Sequence, residues 1–255
     1  MIANYHTHTP RCRHAQGSEE TYIHLAIQRG LEIFGFSDHT PQYFPGDYYS
    51  FMRMYPEELT DYCQTVRALR KIYAGKIQIP LGVEAEYYPA TWKEMLPRLQ
   101  DAGVEYMIMG QHWLHNEQHA HGSGGATADE ALLKQYCHQV MEGLDTGKFS
   151  YLAHPDLFNF VGDRSVYRHH MRQLCRFTKQ AEIPLEINLL GLVSGRHYPS
   201  REFFALAAEE GCSVILGLDV HDPSHITNLQ PEQDALEMVH HFGLRLLDTV
   251  ELNPL

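Results

Sequence analysis

Short apolar runs alternate along the chain with longer stretches whose apolar residues recur at helical spacing. The short runs predict strands at 2–6, 32–37, 77–84, 105–111, 149–153, 184–189 and 213–219. The longer stretches predict helices near 19–29, 56–73, 91–101, 128–146, 166–181, 200–210 and 231–242. Pro56 followed by Glu57 and Glu58 suits a helix start, where a missing N–H costs nothing and the dipole favours acid. Arg29-Gly30, Ala102-Gly103 and Glu210-Gly211 read as helix ends, since glycine accepts the left-handed C-cap conformation. Strand–helix alternation predicts an α/β fold of parallel strands with helices outside. Seven such units in 255 residues suit a closed, TIM-like barrel in a single domain spanning residues 1–255. An open dinucleotide-binding sheet is disfavoured, because no G-x-G-x-x-G turn follows the first strand.

The residues that end each strand add chemistry to this pattern. The first strand runs into His6-Thr7-His8, the second into Asp38-His39, and the third ends at Glu84. The fourth ends at His112 and the fifth at His154-Pro155-Asp156. Strand six carries Glu186 and Asn188, and strand seven ends in Asp219-Val220-His221. In a parallel barrel these ends converge on the face where barrel enzymes keep their active sites. Side-chain direction repeats every two residues in a strand, so His6 and His8 can point at one metal ion. Asp219 and His221 repeat that spacing. Glu84 closes the apolar run 77–83, where a carboxylate needs a charged partner or a metal to offset burial.

Composition narrows the partners. The chain carries 20 Lys+Arg against 32 Asp+Glu, a formal charge of −12, together with 18 histidines. That acidic balance argues against extended nucleic acid, which needs clustered basic residues. A small phosphorylated ligand stays open, because a buried metal or a few arginines reverse the sign locally. No apolar run approaches the roughly 20 residues of a membrane span, and residues 1–6 lack the features of a secretory signal. Five scattered cysteines (12, 63, 137, 175 and 212) with no C-x-x-C predict reduced thiols and a cytoplasmic protein. Nothing in the pattern indicates an oligomeric state.

Imidazole and carboxylate ligands without thiolate suit Zn, Mn or Fe, with Cys12 read as a bystander. Seven histidines (6, 8, 14, 39, 112, 154 and 221) with Glu84 and Asp219 make nine donors, enough for two or three divalent ions with open positions. Such ions suit hydrolysis of a phosphate ester or an amide. A serine nucleophile is disfavoured, since no G-x-S-x-G occurs. Gly122-Ser123-Gly124-Gly125, preceded by His115, His119 and His121, reads as an exposed flexible loop. The aromatic residues Tyr43, Phe44, Tyr48, Tyr49, Phe51 and Tyr55 make the loop 40–56 either a lid or ordinary packing over the barrel end.

In order and spacing, His6-Thr7-His8, Cys12-x-His14, Ser37-Asp38-His39, Gly82-Val83-Glu84-Ala85-Glu86-Tyr87, Gly110-Gln111-His112, Ala153-His154-Pro155-Asp156 and Gly217-Leu218-Asp219-Val220-His221 resemble the polymerase-and-histidinol-phosphatase (PHP) domain over nearly the whole chain. The segments Phe51-Met52-Arg53-Met54, Glu57-Glu58-Leu59…Tyr62 and Tyr73…Ile77…Gly82-Val83-Glu84 resemble its histidinol-phosphate phosphatase branch. The resemblance implies a distorted seven-stranded (β/α) barrel with a trinuclear metal site. By motif, one ion takes His6, His8, Glu84 and Asp219, and Glu84 bridges to a second held with His112 and His154. A third sits on His14, His39 and His221, with Asp219 or substrate nearby. The chain departs from the branch at Gly110-Gln111-His112-Trp113-Leu114, where Ser-Val-His-Phe-Leu is more usual, so the indole is expected to reshape the pocket wall. The segment Phe158-Asn159-Phe160…Arg164 is not a close copy of the branch either.

The activity implied is hydrolysis of a small phosphomonoester, foremost L-histidinol phosphate in histidine biosynthesis, by a metal-bridging hydroxide. Arg164 and Arg196 follow strand ends and are candidates for phosphate binding, with surface salt bridges as the alternative. Asp156 and His221 are the candidate general acids. Glu86, Asp156 and Glu117 are available for the histidinol ammonium. Competing readings are a PHP phosphoesterase for another small phosphorylated substrate or nucleotide, and a non-catalytic metal-binding module. An amidohydrolase ranks low, because His112 stands where that superfamily usually has a bridging lysine.

Overall fold

Parallel strands bonded in chain order form the centre of the computed structural model, which describes residues 1–118 and 121–255. β1 (Ala3–Asn4) pairs with β2 (Ile33–Phe34), and β3 (Phe36–His39) resumes after Gly35. β4 (Leu81–Ala85), β5 (Tyr106–Met109), β6 (Phe149–Leu152), β7 (Leu185–Asn188) and β8 (Ser213–Gly217) follow, each parallel to its neighbour. Between the first and last segments the ladder shrinks to a bridge of Thr7 with Val220. It is carried by His8 N–H to Val220 O at 2.9 Å and Val220 N–H to His6 O at 3.2 Å. Lower down, a short β9 (Arg245–Leu246) pairs with β8 instead. The first and last segments thus meet only at the rim, which is the distortion of the barrel.

Seven helices stand where periodicity predicts them: α1 (Glu19–Arg29), α2 (Leu59–Ile72), α3 (Pro89–Ala102), α4 (Glu130–Asp145), α5 (Arg164–Gln180), α7 (Arg201–Glu209) and α9 (Gln230–Phe242). Two more, α6 (Leu189–Val193) and α8 (Pro223–Thr227), are too short to show a period and were not expected. Residues 56–58 form a 3₁₀ turn ahead of α2. The strands are shorter than the apolar runs. β1 stops at Asn4, whose amide Nδ2 donates to His6 O and Thr7 Oγ1 and competes with the ladder. β4 begins only at Leu81, because Pro80 has no N–H to give.

Strand parity decides what faces the axis. Leu81, Val83 and Ala85 join the core under the helices, as do Met107, Met109, Val214 and Leu216. Tyr106, Ile108, Tyr151, Ala153 and Ile215 pack with Ala3 and Tyr5 inside the barrel. Glycine 82 makes that filling possible, since a Cβ there would lie 2.3 Å from the Tyr106 ring. The Tyr106 hydroxyl donates to Tyr5 O at 2.8 Å, with Phe36 O at 3.1 Å. Glu84 and Glu86, two and four residues further along the same face, come next towards the strand ends. All five cysteines are buried and free. Among the described residues no helix is long and apolar enough to cross a membrane.

Candidate metal centre

Glu84 is 1% exposed and lies at the centre of the strand-end cluster. Its Oε1 faces His154 Nε2 at 2.8 Å and His112 Nε2 at 3.5 Å. Its Oε2 faces His39 Nδ1 at 3.1 Å, His8 Nε2 at 3.4 Å and His6 Nε2 at 3.5 Å. Asp219 Oδ1 lies 3.2 Å from His8 Nε2, 3.2 Å from His221 Nδ1 and 3.5 Å from His6 Nε2. His14 Nε2 stands 3.0 Å from His221 Nε2. The nine side chains singled out in the sequence therefore meet in one place.

The donor atoms lack partners that would explain their burial. His6 Nε2, His8 Nε2, His39 Nδ1, Glu84 Oε2 and Asp219 Oδ1 are buried without a hydrogen bond among the described residues. Each such orphan costs about 1–3 kcal/mol unless something between them compensates. His14 and His221 argue the same way. His14 Nδ1 donates to Cys12 O at 2.7 Å and His221 Nδ1 to Asp219 O at 3.1 Å, which leaves a lone pair on each Nε2. Two lone pairs facing at 3.0 Å repel unless they share a cation. Triads such as His6–His8–Asp219, His8–His39–Glu84, His6–Glu84–His154 and His14–His39–His221 have donor atoms within 4.8 Å of one another. This donor set fits divalent ions of the zinc, manganese or iron type. Cys12 also falls within that distance of His8 and His221, although burial pushes its thiol up.

Charge is divided within the cluster. Burial disfavours the Glu84 anion, yet His112, His39 and His6 outweigh it and hold the carboxyl well below its usual range. Burial likewise opposes a His8 cation, but Asp219, Asp38 and Glu84 push its imidazole up to about 9. His14 goes the other way, down to about 4, through burial and the neighbouring His221 and His8. Asp219 and His154 hold left-handed backbone, at φ 52° and 29°, uncommon for any residue but glycine. Such strain persists where the surroundings fix it.

Outer carboxylates aim the rings. His6 Nδ1 donates to Glu186 Oε1 at 2.8 Å, and Glu186 Oε2 takes the His154 N–H at 3.0 Å and Asn188 Nδ2 at 2.9 Å. His112 Nδ1 donates to Glu86 Oε1 at 3.0 Å. Both bonds turn Nε2 towards Glu84. Glu186→Gln is expected to weaken metal binding by about 10–100-fold with the fold intact, read by metal titration. The glycines that open two of the motifs have a steric reason. A Cβ on Gly110 would come 1.8 Å from Glu84 Oε1, and one on Gly217 1.8 Å from Glu186 Oε1. Gly110→Ala must displace Glu84, so metal affinity is expected to fall at least about tenfold, a loss of ~1.4 kcal/mol. Unchanged affinity would show that Glu84 adapts freely.

A cavity of about 360 Å³ opens over the cluster, walled by every candidate ligand except His6 and by others that include Met52, Ser194, Arg196, Tyr198 and His225. Arg196 lines this cavity, with Nη1 donating to the Tyr198 hydroxyl. Arg164 does not. Its guanidinium pairs with Glu202 on α7, Nε to Oε2 at 2.9 Å, and lies over the Tyr167 ring, which corrects its expected role in phosphate binding. Asp156 does not line the cavity either. Its Oδ2 accepts the Ser200 N–H at 2.5 Å, and burial pushes the carboxyl up to about 7. Glu86 and Glu117 are not available for an ammonium, because both clamp the buried Arg53 guanidinium. Arg53 Nη1 reaches Glu86 Oε2 at 2.8 Å and Nε reaches Glu117 Oε2 at 2.9 Å. Among the described residues the only carboxylates on the wall are Glu84 and Asp219.

Three loop expectations are refined. Trp113 stays off the wall and acts through Met52, whose Sδ accepts its indole N–H at 3.2 Å. Ser123 is buried rather than exposed, its Oγ donating to Gln111 O at 2.7 Å beside His112. The loop 40–56 is pinned by Arg53 and by the Tyr48 hydroxyl on Glu117 at 2.7 Å, with Tyr49 and Phe51 left exposed. His119 lies outside the described residues.

Residues 4–189, which include seven of the nine clustered side chains, match the PHP domain. The chain belongs to the PHP domain family. This PHP chain is 28% identical over 234 residues, 88% of either chain, to a protein of Deinococcus radiodurans named probable histidinol-phosphatase. It is 27% identical over 257 residues, 89% of this chain and 82% of the relative, to a Schizosaccharomyces pombe protein of the same name. Its fold is similar to the crystal structure of histidinol phosphate phosphatase from Lactococcus lactis complexed with zinc, L-histidinol and phosphate. The TM-score is 0.74 at 18% identity, over 96% of this chain and 95% of that one. A putative histidinol phosphatase from Listeria monocytogenes gives 0.68 at 20% identity, over 88% and 97%. The PHP barrel is therefore the fold of this chain.

Proposed function

We propose that this PHP protein is a metal-dependent phosphomonoesterase that hydrolyses L-histidinol phosphate to L-histidinol and inorganic phosphate. One observation carries the reading: five buried donor atoms that make no hydrogen bond among the described residues converge in one cluster, and four of their residues (His8, His39, Glu84 and Asp219) line an accessible cavity. His6, His8, Glu84 and Asp219 would hold one divalent ion, His112 and His154 with Glu84 a second, and His14, His39 and His221 a third. Ions held there make water nucleophilic at neutral pH and offset phosphoryl charge.

The protein's own groups supply orientation. Arg196 lines the wall with Nη1 held by the Tyr198 hydroxyl, and a guanidinium can take two phosphoryl oxygens at once. Glu186 and Glu86 fix the His6 and His112 tautomers. Proton delivery to the leaving alkoxide falls to solvent at the mouth, because Asp156 is off the wall and His221 Nδ1 is bonded to Asp219 O while its Nε2 lone pair would go to the third ion. The relatives' names support the substrate, and the cavity volume lies in the range of small-molecule sites.

Phosphate release over a panel of small phosphomonoesters tests the substrate. The kcat/KM for histidinol phosphate is expected to exceed that for glycerol phosphate, serine phosphate and mononucleotides by about 100-fold. A mononucleotide turned over as well or better would reassign the site.

A further inference from the structure

Seven imidazoles line the cavity, and His225 is the one outside the nine-residue cluster. It sits on α8, the short helix that follows the Asp219–His221 strand end and is capped by Asp222, whose Oδ1 accepts the Ser224 N–H at 2.9 Å. The His221 backbone N–H donates to His225 Nδ1 at 3.1 Å. An amide N–H can only donate, so Nδ1 must carry the lone pair and the ring proton must sit on Nε2. His225 is thereby a neutral ring whose other nitrogen is a donor. That is the opposite of His14 and His221, whose Nδ1 donors leave Nε2 free as a ligand. A nitrogen carrying a proton cannot bind a metal, but it can bind a phosphoryl oxygen. Arg196 and Ser194, whose side chains can also donate, line the same cavity, and Arg196 is close enough to His225 to act on its charge.

We infer that His225 is a substrate-contact residue, a neutral hydrogen-bond donor that acts with Arg196 on the phosphoryl group. The inference rests on the phosphatase reading above. Two substitutions separate its two ring nitrogens. His225→Asn keeps an acceptor near the Nδ1 position for the His221 N–H and removes the Nε2 donor. His225→Gln reaches the Nε2 position with an N–H.

The readouts are KM for histidinol phosphate, the inhibition constant of inorganic phosphate, and bound metal per chain. His225→Asn is expected to keep its metal while both constants rise about tenfold, the loss of one hydrogen bond to a charged group. His225→Gln is expected to recover most of that loss. Constants for His225→Asn within about twofold of the unmodified protein, or metal lost alike from both variants, would overturn the inference, the latter showing that His225 acts only through His221. Unmodified protein that releases no phosphate from histidinol phosphate would overturn the phosphatase reading instead. Calorimetric affinity of the metal-loaded proteins for inorganic phosphate would still decide the role of His225.

Discussion

Glu84→Gln is expected to strip the metal and lower phosphate release on the order of 10³-fold, equivalent to ~4 kcal/mol of barrier. The substitution keeps the volume of the side chain, so the barrel has no packing reason to unfold. What it removes is the anion that five imidazoles approach within 3.5 Å. An amide gives one neutral oxygen where the carboxylate has two, so it cannot serve both halves of the cluster. The apo fold is expected to lose some stability, because the imidazoles that hold the Glu84 carboxyl below its usual range lose their anion. Metal content, circular dichroism and turnover on one preparation read all three effects. A variant that keeps its metal and more than about a tenth of its turnover, under ~1.4 kcal/mol of barrier, removes Glu84 from the site.

Arg53→Met is expected to destabilise the fold by about 3–5 kcal/mol, the usual result of removing one partner from a buried ionic cluster. Arg53 is 1% exposed and forks to two carboxylates, Glu86 and Glu117, which are themselves buried. Methionine fills much of the space but leaves both anions unpaired. The damage then reaches the metal centre, since Glu86 orients His112 and Glu117 holds Tyr48. Denaturant unfolding measures the stability loss, and metal titration measures the loss at the centre. A change under about 1 kcal/mol would mean that water reaches the two carboxylates and replaces the guanidinium.

The clustering of the nine side chains was legible because β-structure converts sequence spacing into direction. Ligands at the ends of successive parallel strands have nowhere to go but one mouth, and His6-x-His8 shares a face by period two alone. The residues that support the centre were less legible. Glu186 stands at an inward position of its strand, a visible signal, but only the fold shows that it reaches His6. Arg53 comes from a long irregular loop with no period, so nothing in the sequence predicts its burial against Glu86 and Glu117. Arg164 and Arg196 look alike in sequence, each following a strand end. The structure separates them because α5 begins at Arg164 and carries it towards Glu202 on α7. Composition misleads at Ser123 for a similar reason: a glycine-rich stretch suggests mobility, whereas a bond to the Gln111 carbonyl ties Ser123 to the His112 segment.

Phosphate release from histidinol phosphate, followed while metal is returned to chelator-stripped protein, tests the central claim most directly. Stripped protein is expected to be inactive, and activity should rise with bound Zn, Mn or Fe and level off at two or three ions per chain. Stripped protein that hydrolyses the substrate at the rate of the loaded protein would contradict the account, as would loaded protein that releases no phosphate.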